Sequence, residues 1–230
     1  MNWDMPTYYT NQKYNDLRFK FNISERITQN CSQCYQDMFV LSCLNGKTQG
    51  LYLELGAGHP HISNNTILME HLGWGGVGLD LKEHELELYS TQRKNFIANG
   101  DATQIDYTEL LQEVKLDYPT FDYLQVDCDP PTVSLEALKK IPHDKYKFAV
   151  ITFEHDKYTG DDGALVQVES RKFLTDLGYL LVADDLSVDD SHPFEDWWVH
   201  PDLVDMSIIE KMMCVTGETK KAEDYMLGRF

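Results

Sequence analysis

The sequence predicts an α/β protein with a doubly wound, Rossmann-like parallel sheet and helices on both faces. Short apolar runs alternate along the chain with amphipathic segments of helical length. The first run ends in Gly-Ala-Gly, and almost every run is followed by an acidic residue. Alternating strands and helices are typical of parallel βαβ units, whose ligands bind at the carboxyl ends of the strands. The pattern therefore predicts both the fold class and the edge of the sheet that carries a site.

Six apolar runs predict strands, and four of the segments between them predict helices. We expect strands at residues 51–55, 76–80, 95–99, 121–127, 148–153 and 179–183. We expect helices at residues 66–72, 83–92, 130–141 and 164–177. Pro142 stops the third helix, and Gly178 follows the fourth at the position where a left-handed C-cap is usual.

The length of 230 residues fits a single domain of this class. We expect a core at 46–185, an N-terminal extension at 1–45 that contributes to the cleft, and a C-terminal extension at 186–230 that could act as a lid. No apolar run approaches the roughly 18 residues of a membrane span, so we expect no membrane span and a cytoplasmic protein.

The charge balance limits the classes of partner. Acidic residues outnumber basic ones 38 to 20, which gives a net charge of −18. A nucleic-acid backbone would be repelled by such a chain, so we expect no long nucleic acid as partner. A cationic cofactor is compatible with an acidic cleft.

The first strand and the two that follow it predict a nucleoside site. Glycines in Glu54-Leu55-Gly56-Ala57-Gly58 let the backbone approach a ligand, but His61 stands where a dinucleotide fingerprint needs a third glycine. This argues against NAD and FAD. Asp80 can accept both hydroxyls of a ribose, and Asp101 can accept from an adenine amino group while the Ala102 amide donates to the ring.

Several segments together resemble the FkbM-type methyltransferases. The segments are Gln36-Asp37, Glu54 to Gly58, Ser63-Asn64-Asn65-Thr66, Gly73-Trp74-Gly75-Gly76 and Phe121 to Asp127. The resemblance covers about residues 32–182 and implies a seven-stranded class I methyltransferase fold with S-adenosylmethionine as the methyl donor. It also implies a hydroxyl acceptor on a small molecule, sugar or glycan.

The resemblance also implies roles for individual residues. Glu54, Gly56 and Gly58 would lie under the methionine part, Asp80 on the ribose, and Asp101 with Ala102 at the adenine. Asn65 and Thr66 would open the first helix beside the cofactor. On the acceptor side we place Gln36, Asp37, Asp129 and Trp197. An aromatic ring beside carboxylates suits stacking on a sugar, although packing of this tail onto the core is the stronger alternative for Trp197.

The turn after the fourth predicted strand departs from the family. Where the family commonly has Asp-x-Glu-Gly, this chain has Asp127-Cys128-Asp129-Pro130-Pro131, and proline cannot adopt the positive φ that glycine can. The Asp-Pro-Pro sequence is similar to a loop of amino methyltransferases, but Thr132 replaces the aromatic residue that follows there. Nitrogen methylation and cofactor binding without catalysis therefore remain alternatives.

A hydroxyl acceptor has to lose its proton, and three residues at strand ends are candidate bases. They are Asp127, Glu154 and His155, because histidine and buried carboxylates can titrate near neutral pH. A divalent cation could replace the base, with Asp127, Asp129, Glu154, Asp184 and Asp185 as oxygen ligands. We do not expect a metal, and Asp184-Asp185 could equally form a solvated turn.

Overall fold

The structure, a computed structural model, describes residues 17–27 and 29–229, and these residues contain one sheet. The strands pair in the order β3-β2-β1-β4-β5-β7-β6-β8. In chain order they are β1 (Leu51–Leu55), β2 (Gly75–Asp80), β3 (Phe96–Asn99), β4 (Thr120–Val126), β5 (Lys147–Glu154), β6 (Leu180–Ser187), β7 (Glu195–Val199) and β8 (Lys220–Lys221).

The strand order reverses between β1 and β4. The chain moves outward from β1 to β3, returns to pair β4 beside β1, and then continues to the other edge. All pairs are parallel except those of β7, which runs antiparallel to both β5 and β6. This is the Rossmann-like fold of class I methyltransferases, so the predicted fold class is confirmed. The sheet has eight strands instead of the seven that the resemblance implies, because the short β8 adds to β6.

Helices cover both faces of the sheet. They are α1 (Gln36–Cys43), α2 (Ile67–His71), α3 (Glu83–Gln92), α4 (Tyr107–Glu113), α5 (Pro131–Lys140), α6 (Asp161–Asp176), α7 (Met206–Met212) and α8 (Ala222–Leu227). Because successive strand residues point to opposite faces, Tyr52 packs with the layer of α1, α2, α7 and α8, whereas Leu53 packs with the layer of α4, α5 and α6. The sheet therefore separates two apolar cores.

The segment after residue 185 belongs to the sheet. We expected an extension here that could act as a lid, yet β7 lies between β5 and β6 with all five of its residues buried. Its register places Trp197 opposite Thr152 and Glu195 opposite Glu154. β7 begins with two acids in a run of only five residues, so it lacks the apolar pattern by which a buried strand is recognised. The sequence therefore did not predict this strand.

The N-terminal extension is partly outside the described residues, which begin at 17. Within residues 29–45, α1 lies in the core with all eight residues buried. No helix in the described part of the chain is both long and apolar enough to cross a lipid bilayer.

Candidate cofactor cleft and reaction centre

A cleft opens at the carboxyl edge of the sheet, beside the reversal between β1 and β4. It is lined by the last two residues of β2, by residues that follow β1, β2, β3 and β4, and by one residue of α5. They are Gly56, Leu79, Asp80, Leu81, Lys82, Gly100, Asp101, Ala102, Asp127, Cys128, Asp129 and Val133. The structure thus brings the predicted nucleoside residues Gly56, Asp80, Asp101 and Ala102 together in one place.

The turn after β1 requires glycine at position 56. Gly56 has a φ of +76°, and a Cβ there would lie 1.7 Å from the carbonyl oxygen of Asp127. Since non-bonded heavy atoms cannot approach so closely, any side chain would push the ends of β1 and β4 apart. Gly58 also has a positive φ, +58°, but a Cβ there would meet nothing within 4 Å. Gly56 is therefore needed for the close approach, and Gly58 for the backbone angle alone.

Asp80 ends β2 and already organises the loops around it. One carboxylate oxygen, Oδ2, accepts from the Gly58 amide at 2.8 Å, and Oδ1 accepts from the Lys82 amide at 2.7 Å. Each carboxylate oxygen has two lone pairs, so each can accept one more hydrogen bond. The side chain can therefore receive two ribose hydroxyls without losing its contacts within the chain.

Asp101 and Ala102 follow β3 on the same side of the cleft. Asp101 Oδ1 accepts from the amide and the hydroxyl of Thr103, both at 2.8 Å, which lowers the pKa of Asp101. Its second oxygen makes neither of these bonds and can accept from an exocyclic amino group. Leu81 and Val133 add apolar surface to the cleft. An adenosine needs an acceptor for its ribose hydroxyls, an acceptor for its amino group and an apolar surface for its ring. The cleft offers all three, so the residues present fit an adenosine cofactor.

Glu54, Asn65 and Thr66 lie beneath the cleft instead of lining it. Glu54 is 1% exposed and accepts from the Thr66 hydroxyl at 2.8 Å, and burial raises the pKa of Glu54 to about 7. Asn65 is also buried, and its Oδ1 has no hydrogen-bond partner among the described residues. Glu54 and Thr66 thus support the loop between β1 and α2 from within the protein.

Arg93 organises the same loop, and no sequence pattern singled it out. Its buried guanidinium donates to the Pro60 carbonyl, Asn64 Oδ1, the hydroxyls of Tyr52 and Thr66, and the Glu70 carboxylate, at 3.0 to 3.2 Å. A guanidinium that bonds in five directions fixes the path of the loop from the turn after β1 to α2. An arginine between a helix and a strand has no sequence signature, so only the fold could reveal this role.

The ends of β4 and β5 bring three carboxyl groups together. The Glu154 carboxyl shares hydrogen bonds with those of Asp127 and Asp156. Burial raises the pKa of all three, to about 6 for Asp127, and the neighbouring Asp127 charge raises that of Glu154 further. Glu154 is therefore the protonated member near neutral pH, and Asp127, which lines the cleft, is the group that can accept a proton.

His155 points away from this group, so we correct its predicted role as a base. Its ring is fully buried, with Nδ1 accepting from the Lys157 amide at 3.1 Å and Nε2 lying 3.5 Å from Asp196. Asp196 in turn pairs with Arg171 at 2.7 Å. The ring anchors the segment after β5 and has no access to a substrate in the cleft. Asp156, one residue later, occupies the place that we predicted for His155.

Three of the four predicted acceptor-side residues lie in the interior. Asp37 accepts from the amides of Cys31, Ser32 and Met38, and Gln36 Oε1 accepts from the Cys34 amide at 2.7 Å. These bonds hold the entry to α1. Trp197 is fully buried, with its ring centroid 4.5 Å from that of Phe39. The packing alternative for Trp197 is therefore correct, and of the four only Asp129 lines the cleft.

Two of the acids suggested as metal ligands, Asp184 and Asp185, have separate partners within the chain. Asp184 pairs with Lys220 and accepts from the amides of Thr216 and Gly217, whereas Asp185 pairs with Lys157 and Arg171. Both are buried, so the solvated-turn alternative is also wrong. Among the described residues, no group of three or more His, Cys, Asp or Glu side chains is arranged to hold a metal ion.

Comparisons with known proteins show similarity at the level of the fold. No protein-family model and no curated protein matches the sequence. Among solved structures, a candidate rRNA-methylase from Clostridium thermocellum shares 13% identity over 71% of this chain and 94% of its own, with a TM-score of 0.49. A TehB-like SAM-dependent methyltransferase from Corynebacterium glutamicum shares 13% over 78% and 92%, with a TM-score of 0.46.

A third solved structure is fibrillarin from Aeropyrum pernix with natively bound S-adenosyl-L-methionine. It shares 15% identity over 66% of this chain and 67% of its own, with a TM-score of 0.45. At such low identity the similarity concerns the fold alone, so the substrates of these proteins do not indicate the substrate of this chain. The FkbM resemblance stays a prediction, and the function has to be inferred from the residues of the cleft.

Replacing Arg93 should test whether it holds the loop beneath the cleft. Arg93→Met leaves Glu70 and several buried oxygens without their donor, so we expect a loss of about 3–5 kcal/mol in the free energy of unfolding. Lys139→Met removes an exposed pair with Glu169 and should cost less than about 1 kcal/mol. Denaturant unfolding measures both, and equal losses in the two variants would show that Arg93 has no special role.

Proposed function

We propose that this chain is an S-adenosylmethionine-dependent methyltransferase in which Asp127 accepts the proton released by the methyl acceptor. One observation carries the proposal: Asp127 lines the adenosine-compatible cleft and is also one of the three neighbouring carboxyl groups at the ends of β4 and β5. A cofactor bound by Asp80 and Asp101 would thus have an ionisable carboxyl pair next to it.

The residues present can hold the parts of this cofactor. Asp80 would accept from the ribose hydroxyls, and Asp101 with Ala102 would receive the adenine. When bound, S-adenosylmethionine supplies a methyl group on a positively charged sulfur. A dinucleotide is disfavoured because Pro60 and His61 replace the donor and the glycine that would face a pyrophosphate. Asp127 and Asp129 also line the cleft, and their carboxyl groups favour a positively charged sulfur because opposite charges attract.

The carboxyl pair can assist an acceptor that carries a proton. Asp127 accepts the proton, while the protonated Glu154 donates a hydrogen bond to Asp127 and stabilises its negative charge. General-base help of this type contributes roughly a hundredfold to ten-thousandfold to a rate when the group is well placed. The rest of the acceleration comes from holding donor and acceptor in line.

Two classes of acceptor agree with this chemistry. The FkbM resemblance favours a hydroxyl on a small molecule, sugar or glycan. The Asp129-Pro130-Pro131 turn at the mouth of the cleft favours a nitrogen, since Asp129 is exposed and lines the cleft beside Asp127. A cofactor-binding protein without catalysis is the third alternative, and turnover separates it from the other two.

Cofactor binding should depend on the second oxygen of Asp101. We expect S-adenosylmethionine and S-adenosylhomocysteine to bind with micromolar affinity. Asp101→Asn keeps the oxygen that Thr103 bonds but replaces the other acceptor with a donor, so binding should weaken by roughly tenfold or more. Titration calorimetry measures the loss, and thermal unfolding should show an intact fold.

Asp106→Asn is the matched control. Asp106 also accepts from the amide two residues ahead, but it caps α4 and does not line the cleft. The Asp106→Asn variant should bind S-adenosylmethionine and S-adenosylhomocysteine as the unaltered chain does. If the Asp101 variant also binds normally, or if neither compound binds the unaltered chain, the cofactor assignment fails.

The charge of the Asp127 and Glu154 pair should distinguish a cationic from a neutral sulfur. Burial raises the pKa of Asp127 to about 6, so the pair is neutral at lower pH and negative at higher pH. The affinity of S-adenosylmethionine relative to S-adenosylhomocysteine should therefore rise by about fivefold to tenfold between pH 5 and pH 8. Calorimetry on both compounds at each pH gives this ratio.

Asp127→Asn removes the ionisable group and should make that ratio independent of pH. The neutral thioether is the internal control, because every other titration affects both compounds alike. A ratio that is flat in the unaltered chain, or one that stays steep in the variant, would contradict the placement of the sulfur beside Asp127.

A further inference from the structure

A second cavity of about 850 Å³ adjoins the cofactor cleft. Asp129 lines both, so a molecule in the second cavity would reach the cleft at the end of β4. The wall is built from the turn after β4, the segment after β5 and the first turn of α6. Four of its lining residues are aspartates, at positions 129, 156, 161 and 162, and none of the lining residues is basic.

The Asp156 carboxyl shares a hydrogen bond with Glu154 but gives this wall one oxygen without a partner among the described residues. The residue is 7% exposed, and its Oδ1 has no hydrogen-bond partner among the described residues. The backbone fixes its position, because its amide donates to the Phe194 carbonyl at 3.0 Å. A buried carboxylate oxygen without a donor costs free energy, and a donor brought by a ligand would recover it. The unpaired oxygen therefore indicates a ligand that donates hydrogen bonds and carries positive charge.

Tyr158 adds an aromatic surface to the same wall. It is 50% exposed and lines this cavity next to Asp156. An exposed ring beside carboxylates suits a cation, because the ring face attracts positive charge and the carboxylates accept its N–H bonds. By contrast, the buried acids Asp184 and Asp185 have lysine partners within the chain, Lys220 and Lys157.

We propose that the methyl acceptor is an alkylammonium nitrogen, held in the second cavity by Asp156 and its neighbouring aspartates; this rests on the proposed function. Either a free polyamine or a lysine side chain of a protein could supply this chemistry. A guanidinium fits less well, because a carboxylate cannot remove its proton near neutral pH. The net charge of −18 also attracts cations to the surface.

The transfer balances in atoms and charge. The acceptor ammonium gives one proton to the Asp127 carboxylate, which releases it to water. The lone pair left on nitrogen forms the N–C bond to the methyl carbon while the C–S bond breaks and its electron pair stays on sulfur. The products are a methylated ammonium, the neutral thioether S-adenosylhomocysteine and one proton.

Charge removal at the entrance of the cavity tests the proposal. Asp161→Asn/Asp162→Asn neutralises two exposed wall residues in the first turn of α6. The matched control, Glu169→Gln/Asp176→Asn, neutralises two exposed residues farther along the same helix. Probes are spermidine, a capped peptide with one lysine, and glucose as a neutral hydroxyl compound. Calorimetry on protein loaded with S-adenosylhomocysteine measures probe binding, and trideuteromethyl-labelled S-adenosylmethionine with mass spectrometry locates the transferred methyl group.

The proposal expects at least one ammonium probe to bind and to be methylated on nitrogen. The wall variant should weaken that binding by roughly tenfold, whereas the control should leave it unchanged. Preference for spermidine or for the peptide separates a small amine from a protein substrate. Asp156→Asn should weaken probe binding as well while leaving the affinity for the neutral S-adenosylhomocysteine unchanged, which distinguishes a lost contact from a damaged fold.

Four results would overturn the proposal: no ammonium probe binds, the wall variant binds like the control, a bound ammonium probe stays unmethylated, or the methyl group is found on glucose oxygen. The last result would leave the proposed methyltransferase function standing. Failure of the protein to bind S-adenosylhomocysteine would instead refute the proposed function itself, so the two failures are distinguishable.

Discussion

The close approach of the β1 turn to the end of β4 is the constraint on which the site depends. Gly56 allows the backbone to pass against the carbonyl of Asp127, and no residue with a side chain could take its place. That contact closes the floor of the cleft and sets Asp127 beside the positions of Asp80 and Asp101. A single steric requirement thus joins the cofactor half of the site to its reacting half.

Two kinds of buried acid share this edge of the sheet, and their partners explain their roles. Asp185 and Asp196 pair with Arg171, so their charge is balanced within the fold. No described lysine or arginine forms an ion pair with Asp127 or Asp156, and burial raises the pKa of each more than the nearby Lys82 and His155, respectively, lower it. Acids of the first kind hold the strands together, while acids of the second kind remain available to a ligand.

Sequence reasoning predicted the parts of the site that depend on strand ends. Asp80 and Asp101 follow apolar runs that are easily recognised, and parallel strands bring their ends to one edge. Sequence reasoning failed where the role of a residue depends on the direction in which its side chain points. His155 directly follows β5, yet its ring turns inward to Asp196, whereas Asp156 lines the second cavity. Direction at a strand end depends on the backbone turn, which a sequence pattern does not specify.

Long-range pairing explains the other differences. Trp197 lies in a strand that inserts between β5 and β6, and a five-residue run containing two acids gives no hint of such a position. The role of the buried Arg93 is equally hard to predict, because its partners lie 23 to 41 residues before it in the sequence. Predictions from local pattern therefore recovered the six strands formed by apolar runs and the edge of the sheet where Asp80 and Asp101 lie, but they could not recover contacts formed only by the closed fold.

The most direct test of the account is a crystal structure of the protein with S-adenosylhomocysteine. The account predicts the adenine amino group within hydrogen-bond distance of Asp101, the ribose hydroxyls on Asp80, and the sulfur facing the carboxyls of Asp127 and Glu154. A nucleoside bound elsewhere, or one in the cleft with its sulfur turned away from Asp127, would contradict it.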